Sequence, residues 1–233
     1  MQKLRSAFFY FSAGERWLWI CSVFLILASY LLFPQESVMT LCASLIGVTA
    51  LILNARGNPA GQLLMIVFSV LYGIISYSFF YYGEMITYLG MSGPMAVIAL
   101  VEWLRHPSGG NHAEVEVGRL GRREPLVLAL LTAAVTAAFF FILRALGTAN
   151  LLPSTVSVAT SFLAAYLTFR RSPYFALAYA MNDLVLLVLW FLAAVEELSY
   201  LSVLVCFAVF LVNDLYGFVS WRRMQARQAV PIA

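Results

Sequence analysis

An all-α, polytopic membrane protein with eight transmembrane helices is what the sequence predicts, and three observations predict it. The chain is 63% hydrophobic and 11% charged, with a mean hydropathy of +0.89, more apolar surface than one soluble core could hide. Its apolar residues fall into runs close to the roughly 20 residues that cross a bilayer as a helix. Its basic residues gather at the ends of those runs. With 233 residues shared among about eight such spans, no length remains for a separate soluble domain, so function has to lie within the membrane.

Residues 1–37 hold a basic, aromatic start and a first span at 17–33. The start lacks the short apolar region and small-residue cleavage site of a signal peptide and reads as a cytoplasmic interfacial segment. Further spans are predicted at 38–53, 62–82, 87–104, 125–146, 154–169, 174–195 and 199–221 from their apolar runs. Several are short, so local bilayer thinning or snorkelling is expected. Residues 106–124 form the one sizeable polar linker, and Pro107, Gly109 and Gly110 mark it as irregular chain. His106, His112, Glu114 and Glu116 in that linker match no metal-ligand spacing. Residues 225–233 read as a frayed tail.

Lysines and arginines set the orientation. Lys3, Arg5, Arg16, Arg56, Arg105, Arg119, Arg122, Arg123, Arg170, Arg171, Arg222, Arg223 and Arg227 fall on the side of the N-terminus, and of the 14 basic residues only Arg144 falls on the other. The positive-inside rule therefore puts both termini of this multi-pass protein in the cytoplasm. The net charge of +3 is a topology signal, and no nucleic-acid binding is expected. Cys21, Cys42 and Cys206 sit in apolar runs without pairing and read as packing residues.

An internal repeat organises the spans. Ala55-Arg56-Gly57-Asn58-Pro59 matches Phe169-Arg170-Arg171-Ser172-Pro173, Glu84 and Glu197 follow the two prolines at similar spacing, and Trp103-Leu104-Arg105 ends one helix as Trp221-Arg222-Arg223 ends another. Two three-helix units result, 38–105 and 154–224, joined by 106–153 with its single span. One intervening helix returns the chain, so the two units are parallel, a transporter plan with the site near midplane where the repeats meet. The span at 17–33 is an extra N-terminal helix outside this 3+1+3 core.

The candidate site is built from polar residues at membrane depth. Asn182 and Asp183 sit mid-span, where a carboxylate costs about 2.5 to 3.5 kcal/mol on insertion scales, and Asn213 with Asp214 repeats the pairing in the last span. Consecutive helix positions point about 100° apart, so one member of the first pair faces a pocket and the other a neighbouring helix. Tyr72, Tyr179 and Tyr216 can stack or donate a hydroxyl. Trp103 and Trp221, at helix ends, read as interfacial anchors. No phosphate cradle, His-Glu-x-x-His or Gly-x-Ser-x-Gly motif occurs, and no cofactor, metal or catalytic residue is expected.

The run LNARGNPAGQ, then Tyr72-Gly73, Tyr82-Gly83-Glu84, Pro94-Met95 before Trp103, and Phe210-Leu211-Val212-Asn213 with Tyr216-Gly217 and Trp221, resembles the PnuC family of bacterial nicotinamide riboside transporters. The resemblance covers residues 40–224. It implies a full-length SWEET-like fold and facilitated uptake of nicotinamide riboside or a related nucleoside-like vitamin precursor by alternating access. It also implies a homotrimer and trapping of the substrate by a cytoplasmic nucleoside kinase. The family's Trp-x-x-x-Asn motif keeps Asn182 but has Ala178 at the Trp position, and Ala96 stands where many members carry Gln; both departures bear on which base fits. Deoxynucleoside or thiamine uptake is the alternative within the family. An intramembrane aspartyl-type hydrolase using Asp183 and Asp214 is the alternative from another class, and would need the two carboxyls to meet across a wet cleft. A subunit of a larger importer is a further one.

Overall fold

Local chemistry sets where the helices begin. Ser37 caps the second helix, its hydroxyl accepting from the Thr40 amide at 3.1 Å. Pro59 and Pro125 stand in first turns, where a missing N–H does no harm. The computed structural model describes residues 10–32, 37–78, 82–109, 111–148, 150–196 and 198–229; Lys3, Arg5 and Glu197 lie outside them. Among the described residues, 8 helices are long and apolar enough to cross a membrane. They are α1 (Ala13–Leu32), α2 (Val38–Ala55), α3 (Pro59–Ser78), α4 (Tyr82–Arg105), α5 (Glu124–Ala145), α6 (Leu151–Phe169), α7 (Tyr174–Glu196) and α8 (Leu201–Gln228). Every expected span has its helix.

Six of these helices pack in a closed ring, each against the next, in the order α2, α3, α4, α6, α7, α8 and back to α2. Outside it, α1 lies against α2 and α8, and α5 lies against α6. Burial follows this arrangement: 22% of the α1 span and 11% of the α5 span are buried, against 39–56% for the ring helices. Cys206 is buried, whereas Cys21 and Cys42 lie on the outer surface.

Two turns join ring helices in the same way. At α2–α3 the Gly57 amide donates to Asn54 O and the Asn58 amide to Leu53 O; at α6–α7 the Arg171 amide donates to Thr168 O and the Ser172 amide to Leu167 O. Each is a Schellman-type end with one left-handed residue, Gly57 at φ 66° and Arg171 at φ 55°. Gly61, just beyond the first turn, allows a close approach, because a Cβ there would stand 2.2 Å from the Asn54 side-chain oxygen.

The linker and the tail depart from expectation, for one reason. Instead of irregular chain, β1 (Pro107–Ser108) and β2 (Asn111–Val115) pair antiparallel. Instead of fraying after residue 224, α8 continues to Gln228. The two segments hold each other: the Val117 amide donates to Gln228 Oε1 at 2.8 Å, Gln228 Nε2 donates to Val115 O at 3.1 Å, and Arg227 bonds both Glu114 oxygens at 2.7 Å. The same linker reaches the two matched turns, with the Val115 amide on Gly57 O and the Gly118 amide on Arg171 O, both at 2.9 Å.

Trp103 and Trp221 are not interfacial anchors. Both rings are fully buried and lie 5.3 Å apart at an angle of 49°. Trp103 Nε1 donates to Thr168 O at 3.0 Å and Trp221 Nε1 to Asn54 O at 2.7 Å. The last helix of each triplet thus bonds the first helix of the other. An aromatic residue at a helix end suits the lipid interface and an inter-helix seam equally well, and here a backbone carbonyl across the seam captures the indole N–H.

Candidate functional site

Along α7 and α8 the buried face changes character twice. Phe175 and Trp221 belong to an aromatic cluster with Trp103 at the arginine-rich end. Leu186, Trp190, Phe207 and Phe210 belong to a second cluster, with Phe68, Tyr72 and Tyr88. Between the two clusters the ring encloses a cavity, and every ring helix gives it a polar side chain: Asn54 from α2, Gln62 and Ser69 from α3, Tyr88 and Ser92 from α4, Ser161 from α6, Tyr179, Asn182 and Asp183 from α7, and Asp214 from α8. Among the described residues, no Lys, Arg or His lines it. Its open space is about 40 Å³, room for a few waters, so a nucleoside-sized molecule enters only if the side chains move.

Asn182 is fixed by α6. Its Oδ1 accepts from Thr160 Oγ1 at 2.8 Å, Ser161 Oγ at 3.0 Å and Ser157 Oγ at 3.3 Å. With the oxygen occupied, its remaining hydrogen-bonding capacity is the amide N–H pair. Asn182 therefore offers a donor to the cavity. Asp183 also lines the cavity, beside Asn182, and the expected division of the pair between pocket and neighbouring helix does not occur. The Asp183 carboxyl adjoins that of Asp214, and its Oδ2 has no hydrogen-bond partner. On α3, Gln62 Nε2 donates to Asn54 Oδ1 at 3.0 Å, while the fully buried Ser69 hydroxyl has no protein partner.

The aromatic wall depends on a defect in α4. Residues Tyr88–Ser92 form one π-helical turn, a device common at functional sites, and this turn brings Tyr88 and Ser92 to the cavity. The Tyr88 ring packs on Tyr72 at 4.5 Å and on Phe68 at 5.9 Å.

Of the seven residues singled out from the sequence, Asn182, Asp183, Asp214 and Tyr179 line the cavity. Tyr72 stands one layer behind, stacked on Phe68 at 5.5 Å. Asn213 turns away: its Nδ2 donates to Ser22 Oγ on α1 and to Val209 O, both at 2.9 Å. Tyr216 faces α1 too, in contact with Glu15 and Ser12. Ala96 is in the wall, and Ala178 lies in the cluster of Trp103, Phe175 and Trp221. Sequence reasoning missed Asn54, Gln62, Ser69, Tyr88 and Ser161. The available signal was helical spacing, since Gln62, Ser69 and Ser76 recur every seven residues on one face of an apolar span.

A closed helical ring around a buried polar cavity, in a chain that crosses the membrane eight times, is the construction of a membrane transporter. The profile of the family described as "Nicotinamide mononucleotide transporter" matches residues 37–223, and the chain belongs to that family. It is 24% identical over 215 residues to the nicotinamide riboside transporter PnuC of Neisseria mucosa, covering 91% of this chain and 82% of that protein. Its fold is that of the crystal structure of the vitamin B3 transporter PnuC, with a TM-score of 0.82 over 94% of each chain at 22% identity. The Asp183 and Asp214 carboxyls do meet, as a hydrolase would require, but the family is one of transporters.

Proposed function

We propose that the protein carries nicotinamide riboside, or a closely related nucleoside-like vitamin precursor, across the inner membrane by alternating access, with both termini in the cytoplasm. The observation that carries this reading is the cavity itself. Amide, hydroxyl and carboxyl groups from all six ring helices suit ribose hydroxyls and a carboxamide, and Tyr88, Tyr179 and Phe175 suit a flat ring. A phosphate ester would meet two carboxyls and no basic side chain, which favours the riboside over the mononucleotide. In this reading the Trp103–Trp221 layer is the closed gate at the arginine-rich face. The two triplets, with their matched turns and reciprocal indole bonds, are the parallel repeats that rock against each other.

Assembly as a homotrimer and trapping by a cytoplasmic nucleoside kinase belong to the same proposal. The surface best suited to assembly is the groove between α5 and α6, where Ala129, Ala133 and Ala137 allow close helix approach. Purified protein in liposomes is expected to equilibrate labelled nicotinamide riboside without ATP. No uptake of the riboside beside uptake of thiamine or a deoxynucleoside would move the assignment to the alternative within the family.

A further inference from the structure

The carboxyl pair at the α7–α8 seam offers more than shape complementarity, and its role as inferred here rests on nicotinamide riboside or a similar cation being the substrate. Asp183 and Asp214 are only 3% and 5% exposed, and their carboxyls adjoin each other in the lining of one cavity. Two carboxylates buried side by side, with no basic side chain among the described residues of the cavity, would be costly to keep charged, so the pair holds one proton between them. The surroundings offer no replacement for it. The titratable groups facing the pair are Tyr88 on α4 and Tyr179 on α7 itself, and around Tyr88 stand Glu84 on α4, Tyr72 on α3 and Cys206 on α8. From α2 and α6 come only amides and hydroxyls. Ser69 Oγ, 1% exposed and without a partner, marks the same cavity as a place built to receive a ligand.

We infer that Asp183 and Asp214 form a proton-exchange site, which releases its shared proton when an organic cation such as a ribosylated pyridinium binds. Charge balances on both sides. Before binding, two carboxyls and one proton carry one net negative charge. Afterwards, two carboxylates and one cation carry the same charge, and the proton has passed to water. Separating a second buried charge without the cation would be costly, so release and binding are coupled. A neutral nucleoside cannot drive the exchange. The pair thereby selects for positive charge, while Asn182 and the aromatic wall select for shape.

The test is calorimetric titration of the purified full-length protein with nicotinamide riboside, in buffers of differing ionisation enthalpy across the neutral pH range, with uridine as the neutral probe. Expected are release of close to one proton per cation bound and affinity that tightens with rising pH by up to about tenfold per unit. Uridine, if it binds, releases none. Asp214→Asn and Asp183→Asn should abolish the proton release and flatten the pH dependence, and the protonated-carboxyl infrared band of ligand-free protein should vanish in either. Riboside binding with no proton release and no pH dependence would overturn the exchange and leave the substrate reading standing. If the riboside fails to bind, the substrate reading falls, and thiamine serves as the cationic probe; proton release on thiamine binding supports the exchange, and its absence overturns it. Should both variants fail to fold, the infrared band of the unmodified protein decides. Its loss on addition of the bound cation supports the proposal, and its absence beforehand refutes it.

Discussion

The layer of Trp103 and Trp221 and the layer of Asp183 and Asp214 are equally buried and chemically opposite. In the first, each indole N–H reaches a backbone carbonyl across a seam between triplets. In the second, Asp183 Oδ2 and the nearby Ser69 hydroxyl have no protein partner beyond the carboxyl contact. Burial alone does not tell these two layers apart; the hydrogen bonds their polar atoms find do. A buried group left unsatisfied costs about 1 to 3 kcal/mol, and that cost persists where a ligand is to be received.

This contrast can be broken at three points. The largest effect is expected for Trp221→Ala, which empties a fully buried ring site and frees Asn54 O. It should lose about 3 to 5 kcal/mol of stability, read as a lower thermal unfolding temperature with or without substrate. Asn182→Ala comes next. It removes the acceptor of three α6 hydroxyls and the donor facing the cavity, and should weaken riboside binding by about tenfold, the equivalent of about 1.4 kcal/mol. Unchanged affinity in that variant would take Asn182 out of the site. The smallest effect on binding belongs to Asn213→Ala. Its side chain bonds Ser22 and Val209 O, so affinity should hold within about twofold while stability falls by about 1 kcal/mol. A binding loss there matching that of Asn182→Ala would erase the distinction between the two asparagines.

Where the sequence was legible, the physics was local. Hydropathy over a span reports transfer of that span into lipid whatever its neighbours are, so α1 to α8 could be read from residue runs. The turns at Gly57 and Arg171 were legible as Pro-bearing punctuation. The site was legible in part, because a polar residue at membrane depth is costly in any fold, which flagged Asn182, Asp183, Asn213 and Asp214 together. The choice between Asn213 and Asp214 was not open to local argument. Both stand on one helix about 100° apart, and the rotation of α8 against α1 and α7 decides which of them meets the cavity.

By itself the sequence determined a bundle of eight spans with its basic residues gathered at their ends, and a polar centre in the seventh and eighth spans. Only the tertiary structure decided that Trp103 and Trp221 seal a seam, that Gln62, Ser69 and Tyr88 complete the cavity wall, and that Asp183 and Asp214 touch. Those outcomes depend on helix rotation and on partners far away in the chain. Such contacts arise from how whole surfaces pack together, and no window of sequence contains both sides of them.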